Sequence, residues 1–427
     1  MRAIKPSRAV GRIQALGRDS ISVIGLDRVA ALGDRVRMGH DTWGEILAIE
    51  PGAVRVMPEG PSEGLRMGQT VAHIGPASLS PHQSWLGRII DPDGQPMDGR
   101  ALFPGPRAYP LVSPPPAPAK RRGLGTRLQT GLAVFDTVLP IVRGQRLGLF
   151  AGSGVGKSHL MASLARGMTA DVVIVGLIGE RGREVREFVE EALGPEGLKR
   201  SVVVAATSDR PALTRARAAY SMMAIAEYFR DQGLQVLLLA DSITRFSEAH
   251  REVAAAVGEP FGPNGFPASM AQKVMALAER AGPGVGTKGD ITAVFSVLVA
   301  GSDMEGPIAD VMRGVLDGHV VLSREIAERG RYPAIDVLRS VSRSLPKAAT
   351  AEENQTIQRT RALLGAYDRA ELMLQSGLYT PGADALTDAA VKAFPGLDEL
   401  IGSSAQDSIG ATFSTLQGIL DEAETLR

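Results

Sequence analysis

The stretch that most constrains the fold of this 427-residue chain runs from Arg146 to Ser158 and reads Arg-Leu-Gly-Leu-Phe-Ala-Gly-Ser-Gly-Val-Gly-Lys-Ser. An apolar strand, Leu147 to Phe150, leads into a glycine-rich turn, and a helix-compatible stretch, His159 to Arg166, follows directly. Strand, turn and helix in this order are the context that a phosphate-binding loop requires. The sequence therefore predicts an α/β core built around a nucleotide site.

Each residue type in this turn suits the binding of a phosphorylated nucleotide. The glycines let the backbone curl so that its N–H groups point at phosphate oxygens. The lysine would neutralise the β- and γ-phosphates of ATP, and the serine hydroxyl would reach Mg²⁺ at the positive end of the following helix. The residues expected to bind are Gly152, Ser153, Gly154, Val155, Gly156, Lys157 and Ser158.

Ala151 stands where the strict pattern G-x-x-x-x-G-K-[ST] has its first glycine. The competing interpretation is an ordinary glycine-rich turn that contains Gly-Lys-Ser by chance. The apolar strand before the turn and the helical stretch after it favour the phosphate loop.

The composition narrows the class of protein. A chain of 427 residues is long enough for two or three domains. Lys plus Arg and Asp plus Glu number 47 each, so bulk charge does not drive the chain toward nucleic acid or a membrane. There are no cysteines, which excludes disulfides and cysteine-based zinc sites, and no two of the six histidines stand at a metal-ligand spacing. We expect no nucleic-acid partner.

The N-terminal residues are basic but not apolar. Residues 1–20 lack the continuous apolar core of a signal peptide, and no stretch reaches the ~20 apolar residues of a membrane span. We expect a cytoplasmic protein whose membrane association is peripheral. Its basic end is either a solvated terminus or a docking segment for a partner. The basic residues are Arg2, Lys5, Arg8, Arg12 and Arg18.

Hydrophobic patterning divides the chain into three predicted domains. Residues 1–84 carry short strands between glycines and prolines, which is typical of a small closed β-barrel. Residues 85–345 hold the phosphate loop and continuous apolar runs, which indicate a parallel sheet buried on both faces, and include a connector with seven prolines at 104–118. Residues 346–427 read as a helical domain, with helices expected at 351–375, 382–393 and 405–426.

Two carboxylates follow apolar strands of this core. Asp241 ends the run that begins at Gln235, where a carboxylate can orient the shell of Mg²⁺. The competing role for Asp241 is to cap the next helix. Glu180 comes just after the strand that ends at Ile178, where a carboxylate can polarise the attacking water. Spacing alone does not separate Glu180 from its neighbours Glu184 and Glu187.

With these residues in view, the chain resembles the RecA-like rotary-type ATPases, and most closely the flagellar type III protein-export ATPases. The resemblance covers nearly the whole chain, and the Gly-Ser-Gly-Val-Gly-Lys-Ser form of the loop favours the flagellar group. The matching motifs are Gly131-Leu-Ala-Val-Phe-Asp-Thr, Arg143-Gly-Gln-Arg, Gly179-Glu-Arg-Gly-Arg-Glu-Val, Asp241-Ser-Ile-Thr-Arg-Phe, Gly318-His-Val-Val-Leu-Ser-Arg, Tyr332-Pro-Ala-Ile-Asp and Ser340-Val-Ser-Arg.

The resemblance implies a role for individual residues in a homohexameric ring with ATP at the subunit interfaces. It implies that Glu180 is the catalytic carboxylate and Asp241 the metal-associated aspartate. Arg181 and Arg245 would contact the γ-phosphate side. Arg343 would be the arginine finger that one subunit supplies to its neighbour's ATP. Tyr332 would pack on adenine and Tyr379 would cover the base from the C-terminal domain, whereas simple core packing is the competing role for both tyrosines.

The resemblance also implies a function, hydrolysis of ATP to energise flagellar protein export. The implied partners are a regulatory stalk-like dimer at the N-terminus, a coiled-coil central stalk, a membrane export gate and chaperone–substrate complexes, and the implied location is the inner membrane surface. A virulence-secretion ATPase is the alternative, and an ATP synthase subunit or a nucleic-acid translocase is disfavoured by the short C-terminal domain and the aromatic-poor barrel. The loops at 260–267 and 301–307 depart from the family pattern.

Overall fold

The described residues begin with an N-terminal domain that is a closed barrel. A computed structural model describes residues 8–39, 42–299 and 304–424 of the chain. Residues 1–7, with Arg2 and Lys5 of the basic segment, and residues 301–303 of the second divergent loop lie outside the described residues.

Alternation of apolar and polar residues builds the barrel, because one side of each strand faces its interior. Ile13, Val23, Val36 and Val54 project inward and are at most 2% exposed. Within the described residues the strands pair in the closed order β1-β2-β5-β4-β3-β6, which confirms the predicted barrel. The strands are β1 (Val10–Leu16), β2 (Ile21–Ile24), β3 (Asp34–Met38), β4 (Thr42–Glu50), β5 (Ala53–Pro58) and β6 (Thr70–Pro76).

A connector lies between the barrel and the phosphate loop. It holds β7 (Ser78–Leu79), β8 (Arg88–Ile90) and β9 (Tyr109–Pro110), and short 3₁₀ turns at Gln83–Trp85 and Pro118–Lys120. Its proline-rich part is held to the core by Arg280, whose Nη1 donates to Leu111 O at 2.6 Å. The segment is extended up to the final turn, as its prolines require.

The central domain is a mostly parallel sheet with helices on both faces. Its order is β16-β15-β10-β14-β13-β11-β12-β8, and only β16 runs antiparallel to its neighbour β15. The remaining strands are β10 (Arg146–Ala151), β11 (Val172–Glu180), β12 (Ser201–Thr207), β13 (Val236–Asp241), β14 (Ile291–Leu298), β15 (Gly318–Leu322) and β16 (Ile335–Ser342). The continuous apolar runs of the sequence form these strands because both sheet faces are buried.

Nine helices of the described chain surround this sheet. They are α1 (Ala133–Asp136), α2 (Lys157–Gly167), α3 (Gly182–Glu187), α4 (Gly194–Lys199), α5 (Ala212–Asp231), α6 (Ile243–Ala256), α7 (Ser269–Arg280), α8 (Pro307–Val315) and α9 (Arg324–Glu328). A π-helical turn, Phe188–Leu193, separates α3 from α4. The helical periodicity of residues 183–193 predicts a single helix there. The structure differs, because the α-helix changes to a π-helical turn after Glu187.

The C-terminal domain is helical, as predicted. It contains α10 (Ala351–Gln375), α11 (Ala385–Gly402) and α12 (Ile409–Glu424). Thr350 and Glu353 form a capping box that fixes the start of α10. The predicted end of the second helix at Ala393 is wrong, because α11 continues through Pro395. Burial of Leu397, Leu400 and Ile401 in the core offsets the hydrogen bond that the proline removes.

An ionic cluster joins the barrel to the central domain. Arg217 of α5 is 3% exposed at its side chain, and its Nη2 lies 2.5 Å from Glu59 and 3.2 Å from Glu45 of the barrel domain. Its Nη1 lies 3.0 Å from Asp93 of the connector, and Arg35 of the barrel pairs with Glu59 and Asp93 as well. A buried guanidinium that satisfies three carboxylates ties these segments together.

Candidate functional site

A cleft of about 1120 Å³ opens at the carboxyl ends of β10, β11 and β13. This edge is where an open α/β sheet binds its ligands. The cleft brings together six predicted residues of the phosphate turn and five predicted residues from other segments of the chain. Those that line it are Gly152, Ser153, Gly154, Gly156, Lys157, Ser158, Glu180, Arg181, Asp241, Arg245 and Tyr332.

The turn between β10 and α2 has the backbone of an anion cradle. Gly154 and Gly156 have φ values of +78° and +85°, a region that favours glycine. No side chain caps the start of α2, so the N–H groups of its first turn remain available to a ligand. The Val155 side chain is 2% exposed and packs in the core, which leaves only its backbone to serve the site. Ala151 is fully buried as the last residue of β10.

Lys157 lies between two carboxylates. Its ammonium donates a hydrogen bond to Asp241 Oδ1 and lies 3.9 Å from Glu180 Oε1. Ser296 of the neighbouring strand β14 donates to the same Asp241 oxygen at 2.6 Å. The sequence does not single out Ser296, because it stands inside an apolar run with no motif around it. Only the β13–β14 pairing brings it to the site.

Glu180 projects into the cleft from a bulge in β11. The strand runs two residues beyond the predicted end at Ile178, and the pairing of β11 with β12 shifts register between Ile178 and Glu180. Gly179 takes a φ of +69° at this point. A bulge re-aims the side chain that follows it, which here is the carboxylate.

The surroundings of Glu180 favour its protonated form. Burial and the negative charge of Asp241 raise the pKa of Glu180 to about 7, against the opposing effect of Lys157. A hydrogen bond with Glu184, and its charge, add to the rise in this pKa. A carboxylate whose pKa lies near neutrality can exchange a proton with water at physiological pH. Glu184 is therefore a neighbour that tunes the site, rather than only a solvated helix charge.

Asp241 does not cap the helix that follows it. Ser242 occupies the cap of α6, where its hydroxyl accepts from Arg245 N at 3.3 Å. The Asp241 side chain is 3% exposed and turns toward Lys157 and Ser296. The competing role that the sequence left open for Asp241 is therefore wrong, and its carboxylate remains available to the site.

Three further predicted residues frame the mouth of the cleft. Arg245 Nη1 donates to Glu248 Oε2 at 3.0 Å, and Arg245 Nε is buried without a hydrogen-bond acceptor. Arg181 is 81% exposed at its side chain and lies 3.6 Å from Glu184. Tyr332 is 52% exposed, so core packing does not explain its position. Its ring approaches Gly156 so closely that a Cβ there would lie 3.0 Å from Tyr332 Cδ1.

The remaining two predicted residues do not line this cleft. Tyr379 donates to Asp388 within the C-terminal domain. Arg343 follows β16, and its backbone N–H donates to Asp317 O at 3.0 Å beside the amino end of β15. The cleft lies at the opposite ends of the strands. Arg343 therefore does not serve the cleft of its own chain in this arrangement.

Membrane-spanning helices and ready-made metal cages are both absent from the described part of the chain. Among residues 8–39, 42–299 and 304–424, no helix is long and apolar enough to cross a membrane. The same part of the chain has no group of three or more metal-ligating side chains of the histidine, cysteine or carboxylate type. The carboxylates near Lys157 do not form a metal cage by themselves, and a metal there would need ligands from elsewhere, as Mg²⁺ in nucleotide sites does.

Two family profiles match the chain in consecutive segments. The ATP synthase alpha/beta family nucleotide-binding domain matches residues 131–342. The T3SS EscN ATPase C-terminal domain matches residues 349–416. The two profiles meet between β16 and α10, where the sheet gives way to the helical domain.

Characterised proteins resemble the chain over most of its length. The flagellum-specific ATP synthase of Caulobacter vibrioides is 45% identical over 98% of this chain and 97% of its own. The type 3 secretion system ATPase of Xanthomonas euvesicatoria is 43% identical over 87% of this chain and 84% of its own. The structure of the assembled ATPase EscN from enteropathogenic E. coli in complex with its central stalk EscO has a TM-score of 0.88 and 37% identity, covering 96% of this chain and 100% of that chain.

Proposed function

The chain belongs to the ATP synthase alpha/beta family, within the group of flagellum-specific ATP synthases and type 3 secretion system ATPases, and from this membership we propose that it hydrolyses ATP to energise flagellar protein export. The chain is an ATPase with the predicted barrel, central nucleotide-binding domain and helical C-terminal part. The observation that carries the proposal is the cleft in which Lys157 lies between the carboxylates of Glu180 and Asp241.

The turn before α2 fits the triphosphate of ATP. Where a Cβ on Gly154 would be, no other atom lies within 4 Å, so ligand oxygens can approach the backbone closely. The uncapped first turn of α2 supplies N–H donors and positive helix-dipole charge. In the proposed complex, phosphate oxygens compete with Asp241 for the ammonium of Lys157. Tyr332, half exposed beside Gly156, offers its ring to the adenine base.

Ser158 and Asp241 fit a role beside Mg²⁺. Ser158 lines the cleft at the start of α2, and Asp241 carries oxygen ligands of the type that this ion prefers. When bound, Mg²⁺ would supply positive charge that neutralises the phosphates. Once the ammonium of Lys157 binds phosphate oxygens and not Asp241, the Asp241 carboxylate would keep its hydrogen bond from Ser296. It would then be placed to orient the water molecules around the ion.

We assign the catalytic role to Glu180. Its side chain projects from the bulged end of β11 into the cleft, on the same side as Lys157. In its ionised form it accepts a hydrogen bond from water and polarises that water for attack on the γ-phosphorus. Arg181 and Arg245 lie at the mouth, where positive charge offsets the charge that develops on the phosphoryl oxygens.

The arginine finger in this proposal comes from a second copy of the chain. Arg343 is exposed at the amino end of the sheet, away from its own cleft. We therefore place ATP between subunits of a homohexameric ring, with Arg343 of one copy at the phosphates of the next. The assembled form of EscN supports a ring, and its complex with EscO supports a coiled-coil central stalk as a partner.

The proposal extends to partners and location. The proposed partners are the regulatory stalk-like dimer at the basic N-terminus, the export gate and chaperone–substrate complexes. The proposed location is the cytoplasmic face of the inner membrane. The support is resemblance to flagellar proteins across nearly the whole chain, 98% for the Caulobacter vibrioides protein. We place Tyr379 over the base only through a movement of the C-terminal domain, since its hydroxyl bonds Asp388.

Deletion of the chain in its source cell tests the assignment of function. The proposal predicts loss of flagellar filaments and of motility, and recovery when the intact chain is returned but not when Lys157→Ala is returned. Secretion of virulence effectors should be unchanged. Normal filaments with lost effector secretion would assign the chain to virulence secretion instead.

A further inference from the structure

The edge strand β16 carries an outward-facing strip of side chains that ends at Arg343. The strip consists of Arg339, Val341 and Arg343, which alternate with the buried Ser340 and Ser342. Arg339 and Val341 are 61% and 41% exposed. Two residues apart on a strand, these side chains lie on the same face. Arg339, which lies 3.6 Å from Asp336 of its own strand, and Arg343 therefore present two exposed arginines at most about 13 Å apart along one edge.

This edge is shaped to offer side chains rather than backbone. The pairing of β16 with β15 shifts register between His319 and Val321, which places Arg339 in an irregular part of β16. Arg361 of α10 donates to the carbonyls of Leu338 and Ser340 at 3.2 Å each. Because these edge carbonyls are occupied, another strand cannot readily pair with them. A partner at this edge would therefore be recognised by the side chains of Arg339, Val341 and Arg343.

The cleft has a second wall, beyond the phosphate turn, that carries the opposite charge. Glu187 and Glu191 line it from α3 and the π-helical turn, with Phe188 between them and Ala192 next to Glu191. Glu187 pairs with Arg183 at 2.6 Å, and the neighbouring Glu184 and Glu190 also have arginine partners. Of the four glutamates on this segment, all within the described residues, Glu191 alone has no basic partner within 4 Å.

The spacings on the two surfaces match. Glu180 faces the phosphates, and from Gly182, where α3 begins, Glu191 lies roughly 13 Å farther along a helical path of about 1.5 Å per residue. On the strip, Arg339 lies at most about 13 Å from Arg343. If Arg343 of one copy reaches the phosphates of the next, Arg339 falls near Glu191 of that next copy. Val341 then faces the part of this wall beside the half-buried Ala192.

We propose that the β16 strip of one copy docks on the Glu191 wall of the next copy's cleft, with Arg339 paired to Glu191, and that this contact holds Arg343 in place. The proposal rests on the proposed function, because it assumes that the finger acts between copies. It adds a positioning residue, Arg339, that touches neither ATP nor the reacting atoms. The opposite charges of the two surfaces select a second copy of this chain as the occupant.

Charge reversal in the intact chain tests this contact. Arg339→Glu and Glu191→Arg should each raise the protein concentration for half-maximal ring formation by at least about tenfold, measured by sedimentation velocity with Mg²⁺ and a non-hydrolysable ATP analogue. The chain that carries both substitutions should return to within about threefold of the parent, because opposite charges again face each other. Glu190→Arg is the matched control on the same turn, since Glu190 does not line the cleft, and should leave the midpoint unchanged.

Hydrolysis provides a readout that separates this contact from the finger itself. Arg339→Glu should recover most of its turnover per subunit at high protein concentration, whereas Arg343→Ala should stay inactive at any concentration while it still forms rings. Arg339→Gln, a milder change, should give an intermediate midpoint. A midpoint unchanged in either single reversal, or a double reversal that is not restored, would overturn the docking proposal. Active Arg343→Ala rings would instead overturn the proposed finger and leave the docking result standing.

Discussion

Arg343 and Lys157 lie at opposite ends of the central sheet of one chain. Arg343 N donates to Asp317 O beside the amino end of β15, whereas Lys157 begins the helix that follows the carboxyl end of β10. Since β10 has six residues, roughly 17–20 Å of strand separates the two ends. The guanidinium of Arg343 donates to the carbonyls of Leu316 and Arg313, at 3.1 and 3.2 Å. In the proposed function, the cleft and Arg343 therefore form a complete ATP site only when they come from different copies of the chain.

Glu180→Gln should retain ATP binding and lose turnover by about 10²–10⁴-fold, because the amide cannot polarise water as the carboxylate does. Steady-state hydrolysis and equilibrium binding of a fluorescent ATP analogue measure the two effects separately. Glu187→Gln, at a half-exposed side chain of the same cleft, is the matched control and should hydrolyse ATP nearly normally. Undiminished hydrolysis by Glu180→Gln would remove this residue from its proposed role.

The pH dependence of kcat/KM should report the pKa of Glu180 in the nucleotide-free enzyme, which burial and Asp241 raise to about 7. Only the ionised carboxylate accepts from water, so kcat/KM should fall as the pH drops below this value. Glu184 contributes to the raised pKa through a hydrogen bond and its charge. Glu184→Gln should therefore lower the pKa and move the acid limb of the profile to lower pH. A shift to higher pH would show that the sign of this interaction is wrong.

Tyr332→Ala should weaken adenine nucleotide binding by about 1–3 kcal/mol, the usual worth of base stacking on an aromatic ring, whereas Tyr332→Phe should bind almost as tightly. Calorimetric titration with a non-hydrolysable ATP analogue measures this. Tyr379→Ala provides the comparison, since Tyr379 bonds Asp388 and does not line the cleft. We expect its effect to be smaller than that of Tyr332→Ala. The reverse order would exchange the roles of the two tyrosines.

Arg217→Met should destabilise the attachment of the barrel by about 3–5 kcal/mol, because it leaves Glu45, Glu59 and Asp93 without their shared guanidinium in a buried place. Denaturant unfolding and limited proteolysis at the barrel connector measure this loss. Arg66→Met, at an exposed position of the barrel domain, should change stability by less than about 0.5 kcal/mol. Equal stability of both variants would mean that the ionic cluster contributes nothing to the attachment.

Much of the central domain could be predicted because the patterns that indicate it lie within short stretches of sequence. The continuous apolar runs mark strands buried on both faces, and Gly154 and Gly156 adopt the positive φ that a phosphate turn needs. Asp241 ends its strand as the sequence indicates.

Features that depend on tertiary contacts could not be predicted in this way. Tertiary packing lets α11 continue through Pro395 although proline disfavours a helix interior. A bulge at Gly179 lets β11 extend to Glu180. Ser296 reaches Asp241 through strand pairing across 55 residues. The place of Arg343 follows from the antiparallel direction of β16, which no local pattern in the sequence encodes.

A subunit-mixing experiment tests most directly whether the ATP site is shared between two copies. Lys157→Ala lacks a working phosphate turn but keeps Arg343, and Arg343→Ala lacks the finger but keeps the phosphate turn. Each variant alone should be inactive. Mixed one to one, they should recover about a quarter of the activity of the intact protein, because one interface in four then pairs a working turn with a working finger. Hydrolysis that stays at the level of the separate variants, in rings shown to contain both, would contradict the shared site.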